Sequence, residues 1–283
     1  MTADHDREGG VLERFRLDGQ VALVTGSSRG IGAGIAVALA EAGADVALVA
    51  RNGASIAEVA RTVRAAGRRA EPIVCDVTEA DQSTAAVAHA LRALGRIDIL
   101  VNNAGGPMFN ASFLDTRDSG WRKVLDLNLN SVVHFCREVG RHMIERRSGS
   151  VINVTSPATI RPWPAITAYG SAKAAVLNLT QALAQEWAAD GVRVNAICPG
   201  WIRTDINRAF TDSPAASAAT AADVPLGRWG EPADVVGAAV WLSSGAASYV
   251  TGAHITIDGG LTVAVPEDWR ALRTDRTWLA TSI

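Results

Sequence analysis

The sequence predicts an α/β protein built on a doubly wound, parallel, seven-stranded sheet with helices on both faces. Three observations predict it. Seven short runs rich in Val, Ile, Leu and Ala recur along the chain without polar alternation, as in strands covered on both faces. Helically spaced stretches separate them, and several stop at a glycine (Gly43, Gly67, Gly95, Gly191) suited to a C-terminal cap. The repeated strand–helix succession requires parallel crossovers rather than hairpins.

In order, Val21–Thr25 is the expected first strand, followed by a glycine-rich turn and a helix over Ile31–Ala42. Asp45–Ala50 is the second strand, Ser55–Ala66 a helix, Pro72–Cys75 the third strand and Glu79–Leu94 a helix. Ile97–Val101 is the fourth strand, and Trp121–Arg147 reads as one long helix. Val151–Thr155, a helix over Ala168–Ala189, Val192–Ile197, a helix over Pro232–Ser243 and Ile255–Ile257 complete the pattern. The least regular stretch, Thr211–Val224, is either a mobile lid or a small helical insert. No linker divides the chain, so one domain is expected over 19–261, with extensions at 1–18 and 262–283.

Composition narrows the function. Of 283 residues 48% are hydrophobic and 20% charged, and the net charge of -2 with no basic cluster gives no reason to expect a nucleic-acid partner. No apolar run approaches the ~20 residues that cross a bilayer, and the first residues are polar and charged, so neither membrane insertion nor a signal peptide is expected. Cys75, Cys136 and Cys198 are widely spaced within apolar runs and are read as reduced thiols. The histidines show no metal-ligand spacing, so no metal is expected. These features together predict a cytoplasmic protein.

The first strand runs into Thr25-Gly26-Ser27-Ser28-Arg29-Gly30-Ile31-Gly32. Glycines there let the backbone approach a pyrophosphate, and the next helix offers free N–H groups and a positive dipole end. The second strand ends in Ala50-Arg51, without the acid that holds a ribose 2′-OH in NAD sites. The planar forks of Arg51 and Arg29 suit a 2′-phosphate, hence NADP rather than NAD; two solvated arginines are the alternative.

Tyr169 and Lys173 lie four apart in a helical stretch, on one face. A nearby ammonium would favour the phenolate and lower the Tyr169 pKa, as a general acid/base requires. The weight of the pair comes from scarcity, since the only lysines are Lys123 and Lys173 and there are two tyrosines. Ser156 follows the fifth strand, at the end where parallel sheets bind ligands; it either donates to a substrate oxygen or is a turn residue.

From about Gly19 to Leu261 these motifs resemble, in order and spacing, the short-chain dehydrogenase/reductases. The correspondence takes in the TGxxxGxG turn, Asn102–Gly105, Asn128, Ser156, Tyr169 with Lys173, Pro199-Gly200 with Thr204, and Asp258–Gly260. The resemblance implies a Rossmann fold and a hydride transfer between a nicotinamide and a carbonyl or secondary alcohol. Tyr169 would move the proton, Ser156 polarise the oxygen, Lys173 tune Tyr169 and hold the ribose, and Asn128 hold a relay water. Gly26, Ser28, Arg29, Gly30, Ile31, Gly32, Arg51, Asn103, Ala104, Gly105, Pro199 and Gly200 would line the NADP groove. Asp76 and Val77 would meet the adenine, and Ile202 and Thr204 the nicotinamide carboxamide. The family commonly forms dimers or tetramers, which implies a homo-oligomer.

Phe109, Pro157, Trp163 and Trp201 are candidate substrate contacts, while Trp187 and Trp241 read as packing residues. Arg161 either meets an anionic substrate or is solvated. The tail, with Trp269 and Trp278, would wrap a neighbouring subunit or cover the pocket unless it is disordered. The local text resembles tropinone-reductase-like enzymes, gluconate dehydrogenases and 3-oxoacyl carrier-protein reductases alike, which leaves the substrate open. A non-catalytic NADP-binding sensor, and a dehydratase or epimerase on the same fold, are the competing functions.

Overall fold

The computed structural model describes residues 10–264. Strands β1 (Val21–Thr25), β2 (Asp45–Ala50), β3 (Ala70–Val74), β4 (Ile99–Asn102), β5 (Gly149–Val154), β6 (Val192–Pro199) and β7 (His254–Ile257) form one parallel sheet in the order β3-β2-β1-β4-β5-β6-β7. Side chains of consecutive strand residues point to opposite faces, and both faces are buried. Ala22 and Val24 join one core, while Val21 and Leu23 join the other.

Helices α1 (Gly30–Glu41) and α2 (Gly53–Ala65) cover the first face, together with the late helix Pro232–Ser243. Helix α3 (Ala80–Leu94) belongs to the second face. The expected long helix starts at Asp118 as α4 (Asp118–Leu125) and ends as α5 (Ser131–Glu145), with a π-helical turn, Asp126–Asn130, between them. That turn is a correction to the single regular helix, and it contains Asn128. Helix α6 (Thr167–Trp187) packs on the second face beside α5, where the Trp187 indole lies against Gly140; a Cβ there would come within 2.6 Å of the ring. Trp187 is thus a packing residue, and Trp241 packs part-buried against the first core.

The irregular stretch after β6 is a helical insert, α7 (Arg208–Thr211) and α8 (Pro214–Asp223), ahead of α9 (Pro232–Ser243). Ser213 caps α8 by accepting from Ala216 N, and Pro214 stands in its first turn, where no N–H is needed. Strand β3 begins two residues earlier than expected and contains Pro72; as an edge strand it tolerates a residue that cannot donate.

A buried polar chain crosses the second core. Asn102 Nδ2 donates to Asn153 Oδ1 (2.9 Å), and Asn153 Nδ2 donates to Thr180 Oγ1 (2.9 Å). Thr180 in turn donates to Val176 O, so β4, β5 and α6 are fixed in register directly behind the cleft described next. Residues 1–9 and 265–283 lie outside the described residues, and with them Trp269, Trp278 and the role expected of the tail.

Candidate active site

Strand order reverses between β1 and β4, and a ligand cleft is expected beyond the carboxyl ends of the strands there. A cleft of about 1440 Å³ occupies that place. It exceeds the roughly 300–1,000 Å³ of ordinary small-molecule sites, and so has room for a dinucleotide and a substrate together.

One wall is the turn from β1 into α1. Gly26 and Gly30 adopt φ of +64° and +57°, which side chains rarely allow. A Cβ on Gly32 would lie 2.3 Å from Asn103 Nδ2 and 2.4 Å from Gly26 O. Asn103 Nδ2 donates to Thr25 O and Gly26 O, while Thr25 Oγ1 accepts from Asn103 N (3.0 Å) and Ala104 N (3.1 Å). The turn and the strand after it are thus laced together by Thr25 and Asn103. No side chain caps the first turn of α1, whose N–H groups are left to an anion. These features fit the pyrophosphate of a nicotinamide dinucleotide.

Gly26, Ser28, Arg29, Gly30, Ile31, Gly32, Arg51, Val77, Asn103, Ala104 and Gly105 all line the cleft, as do Pro199, Gly200, Ile202 and Thr204 across from them. Arg51 is exposed at the end of β2. Arg29 is paired across the cleft with Asp205 (Nη1–Oδ2 3.3 Å), which joins the turn to the loop after β6. Asp76 departs from expectation. It does not line the cleft, and its carboxylate accepts from Thr78 N and Thr78 Oγ1 in a local turn, leaving Cys75 and Val77 as the lining.

The opposite wall carries Ser156, Tyr169 and Lys173. Ser156 Oγ accepts from Ala158 N (3.3 Å), which leaves the hydroxyl proton for another acceptor. The Ser156 hydroxyl lies close enough to Tyr169 to favour the ionised phenol. Lys173, 2% exposed, donates to Val154 O (2.8 Å) and stands 5.8 Å from the Tyr169 ring centroid. Burial pushes its pKa down to about 8. Burial also pushes the Tyr169 phenol above its ordinary value, and the Ser156 hydroxyl offsets only part of this. The expected lowering by Lys173 is therefore corrected: burial dominates, the lowering influence on the phenol comes from Ser156 rather than Lys173, and Tyr169 is held protonated.

Asn128 is fully buried and does not line the cleft. Its Nδ2 donates to Gly106 O and Val124 O, and its Oδ1 accepts from Gly106 N (2.8 Å). A Cβ on Gly105 would meet Asn128 Oδ1 at 2.7 Å and Lys173 Nζ at 3.0 Å. The side chain locks the Gly105–Gly106 backbone beside Lys173.

Phe109, Pro157, Trp163 and Trp201 all line the far end of the cleft. Sequence reasoning missed Met108, Ala165, Ile206 and Phe210, which line it too. Met108 and Ala165 take positive φ (62° and 66°), a strained conformation for residues with a Cβ. Arg161 does not line the cleft; its Nη1 donates to Leu261 O and its guanidinium lies 5.8 Å from the Trp163 ring centroid.

Among the described residues no helix is long and apolar enough to cross a membrane, and no group of three or more His, Cys, Asp or Glu gathers as a metal site.

A family model described as Enoyl-(Acyl carrier protein) reductase matches residues 26–262. A 2-dehydro-3-deoxy-D-gluconate 5-dehydrogenase of Pseudoalteromonas atlantica is 44% identical over 254 residues, covering 88% of this chain and 98% of that one. A galactitol 2-dehydrogenase (L-tagatose-forming) of Cereibacter sphaeroides is 42% identical over 251 residues, covering 88% and 97%. The crystal structure of a gluconate 5-dehydrogenase from Burkholderia cenocepacia in complex with NADP and tartrate superposes with a TM-score of 0.86 at 41% identity, covering 90% of this chain and 100% of that one. With this likeness along nearly its whole described length, the chain belongs to the short-chain dehydrogenase/reductase family and is an oxidoreductase acting on alcohol and carbonyl groups.

Proposed function

We propose that the protein is an NADP-preferring enzyme that interconverts a ketone and a secondary alcohol, with Tyr169 as its general acid/base. The observation that carries this reading is the convergence of Ser156, Tyr169 and Lys173 on one wall of a cleft whose other wall is the Gly26–Gly32 turn. When bound, NADPH supplies the hydride. The substrate carbonyl oxygen accepts from the Ser156 hydroxyl and takes its proton from Tyr169 Oη, so that one hydride and one proton turn C=O into CH–OH. A phenol held protonated by burial is suited to the donor role, and the alcohol is oxidised by the reverse transfers. Lys173 restores the proton balance from behind and offers its remaining N–H groups to the ribose. Asn128 holds the Gly105–Gly106 backbone in place beside that ammonium.

NADP preference rests on Arg51, exposed at the adenosine end of the cleft with no acid beside it at the end of β2, and on Arg29 at the turn. NADP in the solved Burkholderia relative supports the same reading. Two relatives are named for a sugar acid and a polyol, which supports a secondary alcohol as the reacting group. The three buried free thiols fit a reducing compartment such as the cytoplasm. Exposed Phe113, Leu114 and Tyr249 fit assembly as a homodimer or homotetramer.

The test compares NADPH and NADH consumption by wild type and Arg51→Ala with a panel of cyclic ketones and keto sugars. Loss of one charge-assisted phosphate contact is expected to raise the NADPH KM roughly 10-fold or more and leave that for NADH unchanged. Equal use of both cofactors by wild type overturns the preference.

A further inference from the structure

The substrate end of the cleft is aromatic. The Trp201 ring stands at the centre of a cluster, 6.2 Å from Trp163, 5.7 Å from Phe210 and 5.7 Å from Trp229, measured between centroids. Trp163, Trp201 and Phe210 line the cleft, with Met108, Phe109 and Ile206 around them. Trp229 is the buried support, its Nε1 donating to Ser217 O (3.0 Å), which fastens α8 to the cluster. Phe210 reaches the cleft from α7 and Ile206 from the turn just ahead of it, so this apolar wall is assembled from four separate segments.

The cations of the lining are elsewhere. Arg51 follows β2 and Ser156 follows β5, three strand spacings away in the sheet, or roughly 14 Å at ~4.8 Å per spacing. Arg29, at the β1 turn, is paired with Asp205. Lys173 is buried and bonded to Val154 O. Arg161, a neighbour of Trp163, is outside the lining and bonded to Leu261 O. Asn207 lines this end, but its amide donates to Ile202 O (2.7 Å). Asp205, which lines the cleft just ahead of the insert, is an acid paired with Arg29 and Arg208, and it offers a carboxylate no positive charge. Among the described residues, then, no cationic side chain lines the aromatic end, and a substrate anion there would meet no full positive charge to offset its desolvation.

We infer that the preferred substrate is an uncharged, largely apolar cyclic ketone or its alcohol, whose ring system packs between Trp163, Trp201 and Phe210 while its oxygen meets Ser156 and Tyr169. The inference rests on the proposed function for the position of the reacting oxygen.

The probes are 2-decalone, an uncharged bicyclic ketone, and 5-keto-D-gluconate. Binding to the NADP⁺-loaded protein is read from tryptophan emission, and turnover from NADPH consumption. Binding of 2-decalone should quench emission and be at least ~10-fold tighter than that of the keto acid, with kcat/KM in the same order. Trp201→Ala should weaken 2-decalone binding roughly 10–100-fold and act on KM more than kcat, with recovery in Trp201→Phe. Phe210→Ala, at a half-exposed site that does not support the fold, should weaken it in the same direction. Tighter binding of 5-keto-D-gluconate, or indifference of 2-decalone to both alanine variants, overturns the inference. Preferred turnover of the keto acid would remove the inference and leave the hydride-transfer reading standing. Tight 2-decalone binding without turnover of either probe would support the pocket chemistry and remove the hydride-transfer reading.

Discussion

Replacing Thr25 by Val sets two physical effects against each other. The side chain is 2% exposed, and its Oγ1 accepts from the backbone N–H groups of Asn103 (3.0 Å) and Ala104 (3.1 Å). By burial alone, a methyl in place of the hydroxyl is stabilising by about 1 kcal/mol. Against this, each donor left without an acceptor costs about 1–3 kcal/mol, with the lower half applying because Asn103 and Ala104 border the cleft and water reaches them in part. Two such donors cost about 2–4 kcal/mol, so Thr25→Val should be destabilising by roughly 1–3 kcal/mol net. Thr25→Ser keeps the acceptor, loses one methyl and should cost about 1 kcal/mol. The two donors belong to the segment that shapes the cofactor groove, so Val should also weaken NADPH binding while Ser leaves it near wild type. Urea unfolding midpoints at fixed protein concentration, with NADPH titration of the same samples, provide the check. A Val variant as stable as wild type, or more so, would refute the reasoning, because burial would then outweigh the lacing of turn to strand.

Ser156→Ala removes the hydroxyl that partly offsets the effect of burial on Tyr169, so the phenol pKa rises further. The alkaline limb of alcohol oxidation, which needs the phenolate, should then move to higher pH as well as lose rate; an unmoved limb contradicts the coupling. Lys173 has a folded-state pKa of about 8 against 10.5 unfolded. Below pH 8 both states hold the proton and the buried charge carries its full cost; between about 8 and 10.5 the unfolded state binds more protons, so stability rises with pH. Lys173→Met lacks this dependence, and the stability difference between variant and wild type should shift by ~3 kcal/mol in favour of wild type from pH 7 to 10.5. A pH-independent difference in urea midpoints would contradict it.

Much of this was legible because it is local. A glycine turn after an apolar run, a Tyr and a Lys one helical turn apart, and a Ser just past a strand are short-range patterns, and parallel topology carries them to one cleft. The aromatic wall was half legible. Trp163 and Trp201 border motifs, whereas Phe210 arrives on an insert whose packing is set by Trp229, and Ile206 on the turn just ahead of it. The Asn102–Asn153–Thr180 chain joins residues 51 and 27 positions apart and has no local signature. Spacing predicted that Tyr169 and Lys173 meet and that the Tyr169 pKa falls; it rises instead, because desolvation depends on the whole surround. The Asp76 carboxylate turned towards Thr78 since an Asx turn was available two residues on. The π-helical turn at Asn128 answers to tertiary bonds with Gly106 rather than to any periodicity.

The central claim is that Tyr169 carries the proton to and from the substrate oxygen. Its most direct test is NADPH-linked ketone reduction by Tyr169→Phe, with NADPH affinity measured on the same protein. The account predicts a fall in kcat of about 10²–10⁴-fold at unchanged cofactor affinity; a variant that retains wild-type turnover would contradict it.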